Sequence, residues 1–287
     1  MIHDPFRIEG PAVISFSGGR TSGYMLWRIL QAHQWILPDD VKVIFANTGK
    51  EMPETLDFVL DCSVYWNVPV TWVEYRRNDD PQKRWKEVSY ITASRRGEPF
   101  EDVILERGQL PNPVARFCTM ELKIRAMKLY CQQVLGWNHW TMAVGLRADE
   151  SRRVAKLRSP SADVYERCAP LADADIGVQD VMRFWFTSAF DLALAVDTNG
   201  VSAHGNCDCC FLKQTDKLAS IIRERPERAL WWIKQEEVVA QIGKAKGAAL
   251  HFRHDRPSYA SMYRMATQHG ELFPFDDEPL QDCMCTD

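Results

Sequence analysis

The sequence of 287 residues has no apolar run that approaches the roughly 18 residues of a membrane-spanning helix. Its first ten residues, MIHDPFRIEG, lack the basic, apolar and small-residue blocks of a signal peptide. Both absences favour a cytoplasmic protein that does not contact a membrane.

An excess of positive charge is also missing, because 35 Lys and Arg residues face 39 Asp and Glu residues, for a net charge of −4. A polyanion would therefore have to bind a local basic patch. Internal repeats and low-complexity segments do not occur. The hydrophobic fraction of 46% and the charged fraction of 26% are ordinary for a globular protein and exclude disordered, collagenous and disulfide-rich classes.

Two common nucleotide-binding patterns are absent as well. The chain contains neither the Walker pattern GxxxxGK followed by Ser or Thr, nor the dinucleotide fingerprint GxGxxG. Kinase-type P-loops and dinucleotide Rossmann sites are therefore disfavoured. What the chain does contain is a surplus of cysteine, nine in all. In a reducing compartment, clustered cysteines more often bind metal or carry out sulfur chemistry than form disulfides.

The first half of the chain alternates strand and helix patterns. Short apolar, β-branched runs predict strands at residues 12–16, 41–46, 70–73 and 140–144. Amphipathic segments between them predict helices, one of them from about 119 to 135. This alternation predicts an α/β fold, a Rossmann-like parallel sheet with helices on both faces.

The pattern changes after about residue 158, where helical stretches continue without comparable strand runs. We predict helices at 178–186, at 215–224 and from Pro226 onward. The predicted division is a nucleotide-binding α/β domain over 1–160 and a helical, cysteine-containing domain over 161–287. Residues 79–108 are predicted to be a polar, mobile loop; with Arg76 and Arg77 they form a basic segment.

A glycine turn follows the first strand, at the sheet edge where such folds bind ligands. Its amides and the dipole of the next helix favour a phosphate group. The predicted cradle consists of Ser17, Gly18, Gly19, Thr21 and Ser22.

Four motifs, in order over residues 13–153, carry a family resemblance. SFSGGRTSGYM resembles the pyrophosphate (PP) loop, SGGxDS, of the adenine nucleotide alpha hydrolase superfamily. IFANTGKEMPETLDFV, RFCTMELKIRAM and VGLRADESRR resemble segments of phosphoadenosine phosphosulfate (PAPS) reductase-like proteins. PLADADIGVQDVMRFW and GNCDCCFLK resemble a branch common in phage and bacterial modification loci. The resemblance implies a HUP-type sheet and a PP-loop ATP pyrophosphatase.

Two departures from the family pattern bear on function. Thr21 stands where the usual loop has Asp, which keeps a hydroxyl and removes a carboxylate. The Glu-Cys-Gly-x-x-His signature of the sulfonucleotide reductases is absent, which disfavours true PAPS reduction.

The resemblance, together with the location of some residues just after predicted strands, indicates candidate site residues. Cleavage of ATP between its α and β phosphates needs cations and Mg²⁺ around the leaving pyrophosphate. The expected catalytic residues are Arg20, Cys118, Lys123 and Arg147. Further nucleotide contacts are expected from Asn47, Thr48 and Gly145.

The clustered cysteines allow two metal sites. Tetrahedral zinc could be held by Cys207, Cys210, Cys283 and Cys285. Alternatively Cys118, Cys207 and Cys210 could hold a 4Fe–4S cluster with Cys285, or with Cys168 or Cys283, as the fourth ligand. We favour the cluster, since related sulfur-transfer enzymes use one. Cys62 and Cys131 fall on helical segments and are expected to be ordinary thiols.

Three functional hypotheses result. The leading one is an ATP pyrophosphatase that adenylates its substrate for sulfur transfer. Its acceptor would be nucleic acid, in DNA phosphorothioation or tRNA thiolation, and its sulfur donor a cysteine desulfurase. The basic segment at 76–96 would contact the polyanion. The second is a sulfonucleotide reductase in which Cys285 attacks PAPS and thioredoxin resolves the product. The third is a zinc-stapled nucleotide-binding adaptor without enzymatic activity.

Overall fold

A computed structural model describes residues 4–197, 202, 204–205, 207–242 and 249–268. The sheet has the strand order β4-β3-β2-β1-β5-β6, and its pairs are parallel except β3 with β4, which is antiparallel. The predicted α/β fold is confirmed, with one antiparallel edge strand added. The strands are β1 (Ala12–Ser15), β2 (Val41–Asn47), β3 (Val70–Tyr75), β4 (Trp85–Val88), β5 (Trp140–Val144) and β6 (Tyr165–Cys168).

Helices connect and follow these strands, and none in the described part of the chain is both long and apolar enough to span a bilayer. A π-helix over Thr119–Arg125 leads directly into α4. The α-helices are α1 (Arg20–Ala32), α2 (Pro53–Tyr65), α3 (Glu98–Arg107), α4 (Ala126–Gln133), α5 (Ser151–Leu157), α6 (Pro170–Asp173), α7 (Val178–Thr187), α8 (Thr215–Glu224), α9 (Glu227–Ile242) and α10 (Tyr259–Gln268).

The sheet is covered on both faces, as predicted, because successive strand residues point to opposite sides. Val43 and Phe45 of β2 belong to the core with α1, α2 and α7. Ile44 and Ala46 belong to the core with α4. Helix α1 faces the sheet through apolar residues spaced at the helical period, of which Met25 and Ile29 are fully buried.

A third core lies beyond the sheet. It joins α3, through Phe100 and Ile104, to Leu218 of α8, Trp232 of α9 and Met262 of α10. The mainly helical C-terminal region is therefore present as predicted. Strand β6 and helix α7 follow residue 160 and still pack with the sheet, and the division of the chain into domains stays a prediction.

The prediction of a mobile loop over residues 79–108 is wrong in two places, because β4 and α3 lie within this range. Two of its basic side chains form ion pairs: Arg84 with Glu106, and Lys86 with Glu74 at 3.1 Å. The charge that suggested a solvated loop is therefore partly neutralised inside the fold.

Candidate functional site

The predicted phosphate loop turns between the end of β1 and the start of α1. Gly18 has a φ of +79°, and a Cβ atom there would lie 2.7 Å from Thr55 Cγ2, so this position requires glycine. Ser22 Oγ lies 2.8 Å from Ser17 Oγ, accepts a hydrogen bond from the Ser17 N–H and donates one to the Gly19 carbonyl. These bonds fix the loop at a helix N-terminus, where an anion is favoured.

Thr21 lies in the first turn of α1 and contacts Arg147. The Arg147 guanidinium donates from Nη1 to Thr21 Oγ1 at 3.0 Å and from Nε to Asp149 Oδ1 at 2.9 Å. The backbone N–H of Arg147 donates to Glu150 Oε2 at 2.9 Å. Two residues that the sequence predicted separately, Thr21 and Arg147, are thus brought together beside the phosphate loop.

Arg20, predicted to be catalytic, is engaged by the segment that follows α7. It donates to both carboxylate oxygens of Asp191 at 2.7 Å, and to the backbone carbonyls of Leu192 and Leu194. The Arg20 carbonyl accepts a bond from Trp185 Nε1 at 2.8 Å. In this arrangement Arg20 joins the segment that follows α7 to the start of α1 through bonds from its Nε and Nη2.

The strand order reverses between β1 and β5, which is where doubly wound sheets bind ligands. Gly145 follows β5 at this point, and a Cβ atom there would come within 3.0 Å of Ser22 Cα. The close approach of the two loops explains the need for a small residue at Gly145, which the sequence predicted as a nucleotide contact.

A cavity of about 130 Å³ opens at the carboxyl ends of β1 and β5. Ser17 of the phosphate loop lies on its wall, as do the cationic residues Lys123, Arg153 and Arg167. The Arg153 guanidinium is paired with Glu150. The rest of the wall comes mainly from apolar side chains of the π-helix, α4 and β5. The volume is below the roughly 300–1,000 Å³ of pockets that enclose a whole ligand, so this apolar slot with cations beside the phosphate loop would admit only part of a nucleotide.

Asn47, predicted to contact base or ribose, is fully buried at the end of β2. Its Nδ2 donates to Glu74 Oε1 and to the Ser94 carbonyl, and its Oδ1 accepts from the Gly49 N–H. Its side-chain amide thus binds the chain segments at Gly49, Glu74 and Ser94.

Thr48 lies next to a buried carboxylate and a thiol. Thr48 Oγ1 donates to Glu51 Oε1 at 2.8 Å, and the N–H groups of Thr48 and Lys50 donate to Glu51 Oε2. Thr48 Oγ1 also lies 3.4 Å from Cys207 Sγ. Burial raises the pKa of Glu51, although the positive charge of Lys123 opposes the shift. The carboxyl end of β2 and the segment that contains Cys207 therefore meet at Thr48.

The structure brings three of the predicted metal ligands into one region. Cys118 precedes the π-helix and packs against the third core, in which Cys207 and Cys210 are buried. Cys207 also forms an isolated antiparallel bridge with Glu51. None of the cysteines in the described residues forms a disulfide.

The remaining cysteines lie elsewhere. Cys168 packs against the core on the α1 face of the sheet, and burial raises its pKa to about 12. Burial also raises the pKa of Cys209, the middle cysteine of GNCDCC. The predicted ligands Cys283 and Cys285 lie outside the described residues.

A metal ion or a cluster needs several ligands grouped at one point. No three His, Cys, Asp or Glu side chains among them are grouped to hold a metal ion. Asp149, Glu150 and Asp191, the carboxylates around the phosphate loop, are each paired with an arginine. The described residues therefore do not by themselves make the predicted cluster, zinc or Mg²⁺ site.

Comparison with known proteins identifies the family. The model of the phosphoadenosine phosphosulfate reductase domain matches residues 11–184, more than half of the chain. The chain belongs to the PAPS reductase domain family. It is also 31% identical over 211 residues to an uncharacterized nin region protein, ORF290, of Escherichia phage lambda, covering 72% of this chain and 67% of that one.

Among solved structures, this PAPS reductase family member is similar to a U34-tRNA thiolase, NcsA, from Methanococcus maripaludis, described with its 4Fe–4S cluster. The likeness covers 80% of this chain and 73% of that chain, with 13% identity and a TM-score of 0.36. Family membership places the chain with enzymes of the PP-loop and PAPS reductase class.

Three residues of the candidate site are not predicted by any sequence motif. The sequence does not single out Glu51, because the Asn-Thr-Gly before it is typical of a plain turn. Lys50 and Asp208 form a buried ion pair between segments 158 positions apart, which no local pattern reveals. An acidic residue just after the second strand was the one available signal for Glu51.

Proposed function

We propose that this chain binds ATP at the phosphate loop and adenylates an acceptor for sulfur transfer. An acceptor oxygen attacks the α-phosphorus, the bond between the α-phosphorus and the bridging oxygen breaks, and pyrophosphate leaves. The terminal sulfur of a cysteine persulfide then displaces AMP and leaves the acceptor sulfur in a disulfide with that cysteine. A second thiol, from a reductant such as thioredoxin, attacks the cysteine sulfur, so that the thiolated acceptor is released as a new disulfide forms. The proposed acceptor is nucleic acid, either a DNA phosphate or a tRNA base, and the proposed sulfur donor is a cysteine desulfurase.

The observation that carries this proposal is the cavity beside the phosphate loop. Ser17 shares its wall with Lys123 and Arg153, while Arg147 is held on Thr21 within the same loop. Negative charge develops on pyrophosphate as it leaves, so fixed amides and cations stabilise that state more than they stabilise bound ATP. The apolar walls would take part of the adenosine, and Cys207 beside Thr48 would keep its sulfur near the activated acceptor.

The proposal includes Mg²⁺ bound with ATP and a 4Fe–4S cluster that uses Cys118, Cys207, Cys210 and Cys285. When bound, a cluster would supply or hold sulfur, and no step above passes through it. Anaerobic purification tests this part: a brown protein with about four irons per chain supports the cluster. Stoichiometric zinc without pyrophosphate release would instead support the nucleotide-binding adaptor.

The central experiment measures pyrophosphate and AMP release from ATP with pooled tRNA or DNA as acceptor. Replacing Lys123 by Met should lower kcat/KM about 100-fold, because a cation at the cavity wall is removed. The matched control is Lys128→Met, since Lys128 belongs to the adjoining α4 and does not line the cavity. Equal losses in both variants would contradict the role given to Lys123.

Sulfonucleotide reduction is the second candidate, and the matching family model favours it. In that reaction a thiol of the chain attacks the sulfur of PAPS, and a second thiol, from thioredoxin, releases sulfite as a disulfide forms. Incubation with PAPS and reduced thioredoxin separates the two candidates. Sulfite formation without ATP cleavage would replace our first proposal.

A further inference from the structure

A buried ion pair joins the loop after β2 to the cysteine segment at 207–210. Lys50 Nζ lies 2.9 Å from Asp208 Oδ2, and the two side chains are only 5% and 0% exposed. Asp208 Oδ1 accepts bonds from Trp232 Nε1 at 2.8 Å and from the Cys209 N–H at 2.7 Å. Arg228 Nη1 lies 3.8 Å from Asp208 Oδ2. The carboxylate thus connects the loop, the cysteine segment and α9.

The same two segments are joined through their backbones. The Asp208 N–H donates to the Lys50 carbonyl at 2.7 Å, and Cys207 forms its antiparallel bridge with Glu51. This short extended pairing sets the orientation of the Cys207 side chain. Its Sγ consequently lies 3.4 Å from Thr48 Oγ1.

A buried ion pair is a poor way to gain stability, because desolvation of both charges offsets most of their attraction. It does demand one geometry, since either charge left without its partner would be strongly unfavourable. Cys209 and Trp232, which donate to Asp208, belong to the third core, so the ion pair lies against apolar packing with Arg228 as a second cation. The ion pair therefore specifies where the cysteine segment lies.

We infer that Lys50 and Asp208 are a positioning pair that keeps Cys207 against Thr48 at the nucleotide end of the sheet. The inference rests on the proposed function, in which the Cys207 sulfur must stay beside the activated acceptor. Neither residue needs to touch ATP, and both act through the segment that they hold.

The test uses the full-length reduced protein and the double variant Lys50→Met/Asp208→Asn. Removing both charges together leaves neither Lys50 nor Asp208 as an unpaired buried charge, and Arg228, which loses its ion partner, is 19% exposed. This variant should therefore fold where Asp208→Ala alone could fail. Alkylation by iodoacetamide is followed at each cysteine by peptide mass spectrometry. We expect Cys207 to react at least about tenfold faster than in the parent protein, because the segment opens locally.

Internal controls separate positioning from general destabilisation. Cys62 and Cys131 are fully buried in the two cores of the sheet and should keep their slow rates. The matched control variant is Arg225→Met, which breaks another ion pair to the sheet region, with Glu54 at 2.6 Å, and should leave Cys207 protected.

Two outcomes would overturn the inference: an unchanged Cys207 rate in the double variant, or a parallel acceleration at Cys62 and Cys131. ATP affinity, measured on the same proteins by calorimetry, should stay within about twofold of the parent, because the phosphate loop is not contacted. Failure of the parent protein to bind or cleave ATP would count against the proposed function and leave the alkylation result to be judged separately.

Discussion

At the scale of single residues, Gly18 is the glycine that the phosphate loop requires. Its φ of +79° and the 2.7 Å approach of Thr55 Cγ2 both penalise a side chain. Replacing Gly18 by Ala should lower the free energy of unfolding by about 1–3 kcal/mol and weaken ATP binding. Urea unfolding and calorimetric titration measure the two effects.

Gly19 supplies the comparison for that prediction. Its φ is −99° with extended backbone, which any residue adopts. Gly19→Ala should therefore cost clearly less stability than Gly18→Ala. Equal losses at the two positions would show that backbone conformation is not what selects glycine at Gly18.

The buried carboxyl group of Glu51 should make the stability of the protein depend on pH. Burial raises its pKa above the ordinary 4.5, so the folded protein keeps the proton to higher pH than the unfolded chain does. Its contribution to stability is therefore full below the unfolded pKa and is lost as the pH rises through the folded pKa. Glu51→Gln, which cannot ionise, should gain thermal stability relative to the parent as the pH rises above the ordinary pKa of 4.5.

Thermal unfolding of the two proteins across that range checks the sign. The amide can still accept bonds from the N–H groups of Thr48 and Lys50, so loss of hydrogen bonding should not mask the effect. A variant that becomes relatively less stable as the pH rises would contradict the assignment.

At the scale of elements, the sequence predicted the central strands but did not predict the edge strands. The runs that predicted β1, β2, β3 and β5 are apolar because interior strands are covered on both faces. Strands β4 and β6 are the two edges, and their sequences WKEV and YERC carry charges that resemble a loop. Helix α3 was missed because its acidic and basic residues were read with the charges around it.

For the candidate site too, the sequence predicted some residues and not others. Local motifs identified the loop serines and glycines and the cysteines of GNCDCC, because their chemistry is carried by neighbours in the chain. The contact between Thr48 and Cys207 joins residues 159 positions apart. Pairings of that kind depend on the third core, which the sequence pattern does not show.

Glu74 is expected to order the segment between β4 and α3. It is fully buried and accepts bonds from Asn47 Nδ2, the Ser94 N–H and Ser94 Oγ, and pairs with Lys86 at 3.1 Å. Glu74→Ala would leave these donors unsatisfied and should cost about 3 kcal/mol. Limited trypsin digestion should then cut earlier at Arg95.

The control for Glu74 is Glu87→Ala, which removes an exposed carboxylate from β4. It should leave the digestion rate near that of the parent. Cleavage accelerated equally in the two variants would contradict the ordering role of Glu74.

At the scale of the whole molecule, the third core is shared between distant parts of the chain. Phe100, Val103 and Ile104 of α3 pack with residues of α8, α9 and α10. We therefore expect one cooperative unfolding transition for the full chain, with calorimetric and van't Hoff enthalpies in agreement.

A fragment ending at residue 160 tests the same point. It lacks β6 and exposes the apolar side of α3, so it should bind the dye ANS and self-associate in gel filtration. A monomeric fragment with native-like stability, or two separate transitions in the full chain, would contradict the shared core.

The charges on the outer strands have one more consequence. Lys86 and Glu87 lie in β4, and Glu166 and Arg167 lie in β6, so both borders of the sheet carry ionic side chains. A row of open backbone groups invites strands from other molecules, and charged borders discourage such additions. The same residues that concealed these strands from sequence reading should keep neighbouring copies from joining sheets at high concentration.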